Sequence, residues 1–157
     1  MYDLLKLLET NARYSDDELA AMLGCTADEV RAQIAKYKKD GIICGFKTII
    51  NWEQTDRDYV VARIELRVTP KKDHGFEELA EQISQYDEVQ SLFLMSGGYD
   101  LAVTVVGKSF RDIASFVAYR LSPIEAVQST ATHFVLRKYK ERSCIFVDTK
   151  KDQRGVM

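Results

Sequence analysis

The stretch that decides the N-terminal fold runs from Ser15 to Gly41 and has the sequence SDDELAAMLGCTADEVRAQIAKYKKDG. It contains two capping boxes, Ser15–Glu18 and Thr26–Glu29. In a capping box the Ser or Thr side chain accepts a hydrogen bond from the amide three residues on, and the Glu bonds back to the first amide. The stretch therefore predicts two helices, joined by a turn of about three residues that contains Gly24.

Apolar residues recur at helical spacing and form one face of each predicted helix. They are Leu19, Ala20 and Leu23 in the first helix, and Val30, Ile34 and Tyr37 in the second. A further helix is predicted over Asp3–Glu9, where leucines supply the core face. After Gly41 the segment IICGFKTII is strand-like and predicts a small wing. Residues 1–50 are thus predicted to form a winged helix-turn-helix domain that binds DNA.

Positive charge within this domain is concentrated at and after its third helix. Residues 31–47 hold five Lys or Arg and one Asp, a net charge of +4, whereas the whole chain has a net charge of −2. Lysines on an exposed helix face can contact phosphates, although acidic residues at the helix start oppose this. From the pattern alone, a three-helix domain whose capping boxes only start helices remains the alternative. The predicted outward face carries Asp28, Ala32, Ala35, Lys36 and Lys39.

Beyond Tyr59 the apolar spacing alternates between strand and helix. The predicted elements are a strand over Val60–Val68, a helix from Phe76 to Ile83, strands over Val89–Met95 and Leu101–Val106, a helix from Phe110 to Leu121, and a strand over Val127–Lys138. This βαββαβ order is that of a ferredoxin-like unit, with helices on one face of an antiparallel sheet. The predicted fold class is therefore α+β, with this domain at 59–145, a polar linker at 51–58 and a polar tail at 146–157.

The predicted hairpin LFLMSGGYDLAVTVVG, residues 92–107, has apolar residues on both faces of its strands. A sheet whose two faces are both apolar is usually covered on both sides. The two helices account for one face only. A second copy of the domain is the simplest cover for the other, so we expect a homodimer.

The composition favours a protein of the cytoplasm. No apolar run approaches the ~20 residues of a membrane span, and the N-terminal segment lacks the features of a signal peptide. The three cysteines are widely spaced and form no CxxC pair, which makes a disulfide framework or a zinc site improbable. We therefore expect reduced thiols, no metal and no cofactor. The cysteines are Cys25, Cys44 and Cys144.

Over nearly its whole length the chain resembles the Lrp/AsnC (feast/famine) family of bacterial and archaeal transcription regulators. The resemblance rests on the order and spacing of the helix-turn-helix stretch with LMSGGYDLAV and STATHFVLRKYK. It implies a sequence-specific, DNA-binding transcriptional regulator whose assembly or DNA affinity responds to an amino-acid-like effector. It also implies a homodimer that assembles further, to an octamer.

The resemblance implies two sets of site residues. Double-stranded DNA would be contacted by Thr26, Asp28, Arg31, Ala32, Gln33, Lys36, Lys39 and Lys47. An effector pocket between dimers would be bordered by Gly97, Gly98, Tyr99, Asp100, Phe134 and Val135. Glycines let backbone amides approach a ligand carboxylate, and a carboxylate can pair with an α-ammonium group. The alternative is a plain hairpin turn in which Asp100 caps local amides.

Two other functions stay open at the level of sequence. Siroheme decarboxylases resemble this architecture and use histidines in the sheet domain, where this chain has His74 and His133. A lone strand histidine is more often structural, so we expect no enzymatic activity. The second alternative is an assembly module that does not bind DNA.

Overall fold

The structure is a computed structural model that describes residues 2–69 and 75–146. The contacts divide the chain into two compact units, with the boundary between Ile49 and Ile50. The first unit contains three helices, α1 (Tyr2–Thr10), α2 (Asp16–Leu23) and α3 (Ala27–Lys39).

Both predicted capping boxes form. The hydroxyl of Ser15 accepts from the amide of Glu18, whose carboxylate accepts from the amide of Ser15, and Thr26 and Glu29 repeat the pattern at α3. At the end of α2, Gly24 adopts φ 68°, a left-handed conformation that glycine takes without a side-chain clash. The helix-turn-helix prediction is confirmed. Its buried core consists of Leu4, Leu8, Leu19, Ala20, Val30 and Tyr37.

The strand-like wing predicted after Gly41 is wrong as to secondary structure. Residues 43–50 have no regular secondary structure. A strand requires a neighbouring strand for its hydrogen bonds, and the described part of this unit offers only helices. The segment contacts α3 through Phe46, whose ring centre lies 5.2 Å from the ammonium of Lys38. Ile42 and Phe46 remain 55% and 46% exposed.

The second unit is built on a four-stranded sheet with the helices α4 (Glu77–Ser84) and α5 (Phe110–Phe116). Its strands β1 (Val60–Val68), β2 (Val89–Leu94), β3 (Leu101–Gly107) and β4 (Val127–Phe134) lie in the order β2-β3-β1-β4, and each neighbouring pair is antiparallel. The predicted ferredoxin-like order is thereby confirmed. After α5 the chain continues as a π-helical turn over Val117–Leu121.

The helices cover one face of this sheet, since α4 contacts β2 and α5 contacts β3. Alternate residues of β1 and β3 are buried there, in the pattern of a half-buried strand. The opposite face is only partly apolar, because the outward residues of β1 and β4 include Arg63, Glu65 and His133. Phe93 supplies apolar surface on β2 and is 54% exposed. The buried strand residues are Ala62, Ile64, Leu66, Val68, Leu101, Val103 and Val105.

The final strand ends earlier than predicted, at Phe134 instead of Lys138. A separate small hairpin follows, formed by β5 (Lys140–Glu141) and β6 (Cys144–Ile145). Its two-residue strands are too short for a period-two pattern to stand out in the sequence.

The predicted linker, residues 51–58, contains a 3-10 turn over Trp52–Gln54. The Trp52 ring lies 5.6 Å from the Tyr59 ring, and the Arg57 guanidinium lies 4.5 Å from the Trp52 ring centre. These contacts attach the segment to the second unit.

Candidate DNA-binding surface and effector site

The outer face of α3 is exposed at each of the predicted outward positions. Lys36 and Lys39, near the end of the helix, make no ion pair with any residue that the structure describes. Lys47 in the following segment is exposed as well. These ammonium groups remain available to phosphates. The exposed outward residues are Asp28, Ala32, Ala35, Lys36 and Lys39.

Arg31 is held between two carboxylates. Its Nε lies 3.1 Å from Oδ2 of Asp16 on α2, and its Nη1 lies 3.1 Å from Oδ1 of Asp28 on α3. The side chain thus links the two helices, and its charge is balanced within the protein. Exposed ion pairs of this kind contribute little to stability, on the order of 0–1 kcal/mol. Arg31 is therefore less available to DNA than the two lysines.

Thr26 is occupied by the capping box. Its hydroxyl lies 2.9 Å from Oε2 of Glu29, and its amide donates to the same oxygen at 2.8 Å. The backbone bond first, and then the hydroxyl bond, lower the pKa of Glu29 below its usual range. This arrangement holds the first turn of α3 in place.

Gln33 is less exposed than the outward residues of α3. It is half-buried, and its Nε2 is buried with no hydrogen-bond partner in the described structure. A buried, unpaired amide nitrogen is unfavourable. In this conformation the amide does not face solvent. Ala32, its neighbour in sequence, is exposed.

The hairpin turn between β2 and β3 is anchored to β1 by Asp100. The amide of Asp100 donates to the carbonyl of Leu66 at 2.9 Å, and its Oδ2 accepts from the amide of Val68 at 2.8 Å. The carboxylate thus continues the hydrogen bonding of the sheet one step beyond the last backbone pair, Leu66 and Leu101. Asp100 thus has a structural role, as in the alternative to an effector role, but the amide that its Oδ2 binds belongs to β1 and not to its own turn.

The two glycines of the turn are open to their surroundings. A side chain placed at Gly97 or Gly98 would meet no atom within 4 Å, and Gly97 adopts φ 134°. Their amides lie in an exposed loop, beside the half-buried Tyr99. The turn therefore has room for a molecule to approach the backbone.

The six predicted effector residues do not meet within one chain. The amide of Val135 donates to the carbonyl of Val61 at 2.9 Å, and Phe134 pairs with Ala62, at the beginning of β1. The turn is bonded at Val68, at the other end of β1. At about 3.3 Å per residue these two ends are roughly 20 Å apart. Within one chain the two groups therefore lie apart, and the expected pocket between dimers would have to combine them from different copies.

Only one of the two candidate enzyme histidines, His133, belongs to the described residues. His74 lies outside the described residues, and His133 is exposed on β4 with its Nε2 3.5 Å from Oε1 of Glu65. Within residues 2–69 and 75–146, no three His, Cys, Asp or Glu side chains form a metal-binding group. No helix of the same residues is long and apolar enough to cross a bilayer. The three cysteines are exposed and unbridged.

Sequence inspection missed two of these contacts. The Arg31–Asp16 pair depends on how α2 and α3 cross, and the bond from Val68 to Asp100 joins residues 32 positions apart. Neither leaves a local signal, because the partners are not related by helix or strand spacing.

A helix-turn-helix unit followed by a ferredoxin-like unit defines a class of two-domain transcriptional regulators. Residues 61–145 match the family model of the Lrp/AsnC ligand binding domain, which is more than half of the chain. The chain belongs to the Lrp/AsnC family of HTH-type transcriptional regulators.

Its similarity to known proteins extends over both units. The Bacillus subtilis protein YugG, named as an uncharacterized HTH-type transcriptional regulator, is 40% identical over 156 residues, covering 99% of this chain and 94% of that protein. The structure of E. coli AsnC is 25% identical with a TM-score of 0.67, covering 90% of this chain and 93% of that chain. A Neisseria meningitidis transcriptional regulator, solved as an L-Met complex, is 22% identical with a TM-score of 0.70, covering 88% of each chain.

Proposed function

We propose that this regulator contacts double-stranded DNA through the outer face of α3. The observation that carries the proposal is the pair of exposed, unpaired lysines, Lys36 and Lys39, on that face. They supply phosphate contacts, with Lys47 adding a third from the following segment. Ala32 lies on the same face, and its short side chain can approach base edges. Asp28 shares this face, but its Oδ1 is engaged by Arg31.

Thr26 and Arg31 act on DNA indirectly in this proposal. Thr26 caps α3, and Arg31 ties it to α2 through Asp16, so both orient the helix. Gln33 is half-buried, and its amide does not face solvent in the described conformation, so it is not among the proposed contacts. The proposed DNA-contacting side chains are thus a subset of those implied by the resemblance.

We also propose that the hairpin turn of residues 95–100 takes part in binding an amino-acid effector. The open amides around Gly97 and Gly98 suit a carboxylate. The second carboxylate oxygen of Asp100, Oδ1, has no hydrogen-bond partner among the described residues and suits an ammonium. The L-Met complex of the Neisseria relative supports this ligand class.

The effector site is proposed to lie between subunits. Phe134 and Val135 are roughly 20 Å from the turn along β1, so both groups can line one pocket only if different copies supply them. The partly apolar outer face of the sheet, with Phe93 exposed, favours a homodimer. Further assembly to an octamer is what the family resemblance implies. The protein would act in the cytoplasm, on DNA, and not as an enzyme.

The DNA contact is tested by the double substitution Lys36→Ala with Lys39→Ala. Binding to the DNA upstream of its own coding region should weaken, and the slope of log affinity against log salt should fall by up to ~1 for each phosphate that the variant no longer neutralises. The matched control, Lys6→Ala with Lys108→Ala, removes two exposed lysines elsewhere and should change neither. An unchanged affinity and slope in the first variant would contradict the proposed surface.

The effector is tested by screening the twenty amino acids for a shift in melting temperature. A ligand at ~100 times its dissociation constant stabilises the folded state by about 2.7 kcal/mol. Failure of every amino acid to shift the transition would contradict the sensing role. The same protein mixed with siroheme or haem would show a Soret shift if the enzyme alternative held.

A further inference from the structure

The C-terminal hairpin is the most basic short segment in the second unit. Residues 137–142 contain four Lys or Arg and one Glu, a net charge of +3 in a chain whose total is −2. The hairpin is formed by β5 and β6, with Lys140 opposite Ile145 and Glu141 opposite Cys144. The function proposed above leaves this concentration of charge unused.

Most of that charge is uncompensated. Lys138 pairs with the carboxylate of Glu141, and its ammonium lies 5.2 Å from the ring centre of Phe146. Arg137, Lys140 and Arg142 are exposed and make no ion pair with any residue in the described part of the chain. Three cations within six residues are therefore exposed without a carboxylate partner among the described residues.

The turn of the hairpin holds one of these cations in a backbone conformation that its side chain disfavours. Arg142 and Ser143 have φ angles of 45° and 68°, so both turn residues are left-handed. Two-residue turns of this type prefer Asn and Gly, which adopt positive φ most easily. The turn therefore carries an exposed Arg at the tip of the hairpin, between β5 and β6.

A ring contact restrains another of the cations. The Arg137 guanidinium lies 5.3 Å from the ring centre of Tyr139, and Tyr139 is 62% exposed. Such a contact reduces the side-chain freedom that must be given up when the guanidinium binds an anion. Arg is also the side chain best suited to bidentate phosphate contact.

We propose that the β5–β6 hairpin, together with Arg137 just before it, is a second DNA-contacting surface, which binds the phosphate backbone through Arg137, Lys140 and Arg142. The proposal rests on the proposed function, since it requires a protein that binds DNA. Phosphate contacts carry no sequence information, so the hairpin would add affinity without selecting sites. Two exposed apolar neighbours, Leu136 and Ile145, would suit a protein partner instead, but burying three unpaired cations there would incur a desolvation cost.

The test is a titration of the full chain with two duplexes, the DNA upstream of its own coding region and a scrambled duplex of equal length. The hairpin variant combines Lys140→Gln with Arg142→Asn, which removes two charges and leaves a turn residue that accepts positive φ. Its salt slope should fall by about 1–2, and its affinity at about 50 mM salt should fall about tenfold or more. Both duplexes should be affected equally.

Two control variants isolate the hairpin. Lys108→Gln with Arg111→Gln removes the same charge from exposed positions elsewhere in the second unit, and it should leave the slope unchanged. Lys140→Arg with Arg142→Lys keeps both hairpin charges and should also keep the slope. If the hairpin variant melts at a lower temperature than the wild type, Lys140→Gln alone, which leaves the turn intact, carries the test.

The outcomes separate the inference from the function on which it rests. If the wild type binds neither duplex, the proposed function fails. If it binds, and Lys36→Ala with Lys39→Ala weakens binding while the hairpin variant does not, only the hairpin inference is overturned. If the Lys108→Gln with Arg111→Gln control loses as much DNA affinity as the hairpin variant, the loss reflects net charge alone, and the hairpin inference is overturned as well. A smaller particle mass in the hairpin variant would make the hairpin a contact between copies, against the proposal.

Discussion

Replacing Asp100 by Ala should destabilise the second unit, quite apart from any effect on a ligand. The carboxylate accepts from the amide of Val68, a residue that is only 6% exposed, at 2.8 Å. Loss of the acceptor leaves a backbone donor unsatisfied near the core, which costs about 1–3 kcal/mol. Because Asp100 itself is half-buried and water can reach part of the gap, we expect about 1–2 kcal/mol, the lower part of that range.

The matched substitution Asp100→Asn separates this structural role from the charge. The amide oxygen can still accept from Val68, although a neutral acceptor forms a weaker bond than a carboxylate. Asn should therefore retain much of the stability that Ala loses. Both substitutions should abolish a response to an amino-acid effector, because neither leaves a negative charge for the ammonium.

Calorimetry and amide hydrogen exchange measure the effect. A loss of about 1 kcal/mol lowers the melting temperature of a ~100-residue domain by about 4 °C, so Asp100→Ala should melt about 4–8 °C lower. Exchange at the Val68 amide should accelerate about 5–30-fold. Asp56→Ala, at an exposed carboxylate in the 51–58 segment, is the control and should change neither. Equal melting of Asp100→Ala and wild type would refute the anchoring role of this carboxylate.

Three further outcomes are expected. The free energy of unfolding of the first unit should decrease as the pH falls below the ordinary Glu29 pKa of 4.5, because Thr26 lowers the pKa of Glu29 in the folded state. Circular dichroism melts of the wild type and of Glu29→Gln across acidic pH measure this effect. A difference in stability between the two proteins that does not change with pH would contradict it. Gly97→Ala, at φ 134°, should cost about 1–3 kcal/mol whereas Gly98→Ala should not, and equal melting of the two would contradict the strain argument. Light scattering at micromolar concentration should give a multiple of the 17.9 kDa chain mass, and a clean monomer would exclude the homodimer.

Features that depend on residues close together in sequence were predictable. The capping boxes at Ser15 and Thr26 involve partners three residues away, so their pattern is visible in the sequence and both form as expected. The strand and helix periods of the second half depend only on which side chains face a core. They were sufficient for the βαββαβ order, although the ends of elements shifted, as at Phe134, and the short β5–β6 hairpin was not predicted.

The candidate site could be predicted less completely, because its geometry depends on contacts between distant residues. Local sequence patterns were enough to define a helix-turn-helix unit, a ferredoxin-like unit, and a glycine-rich turn beside Asp100. Three long-range features became visible only in the folded chain: Asp100 bonds Val68, Arg31 is held by Asp16, and Phe134 lies at the far end of β1 from the turn. These features depend on sheet register and helix crossing, which bring together residues that no local spacing relates.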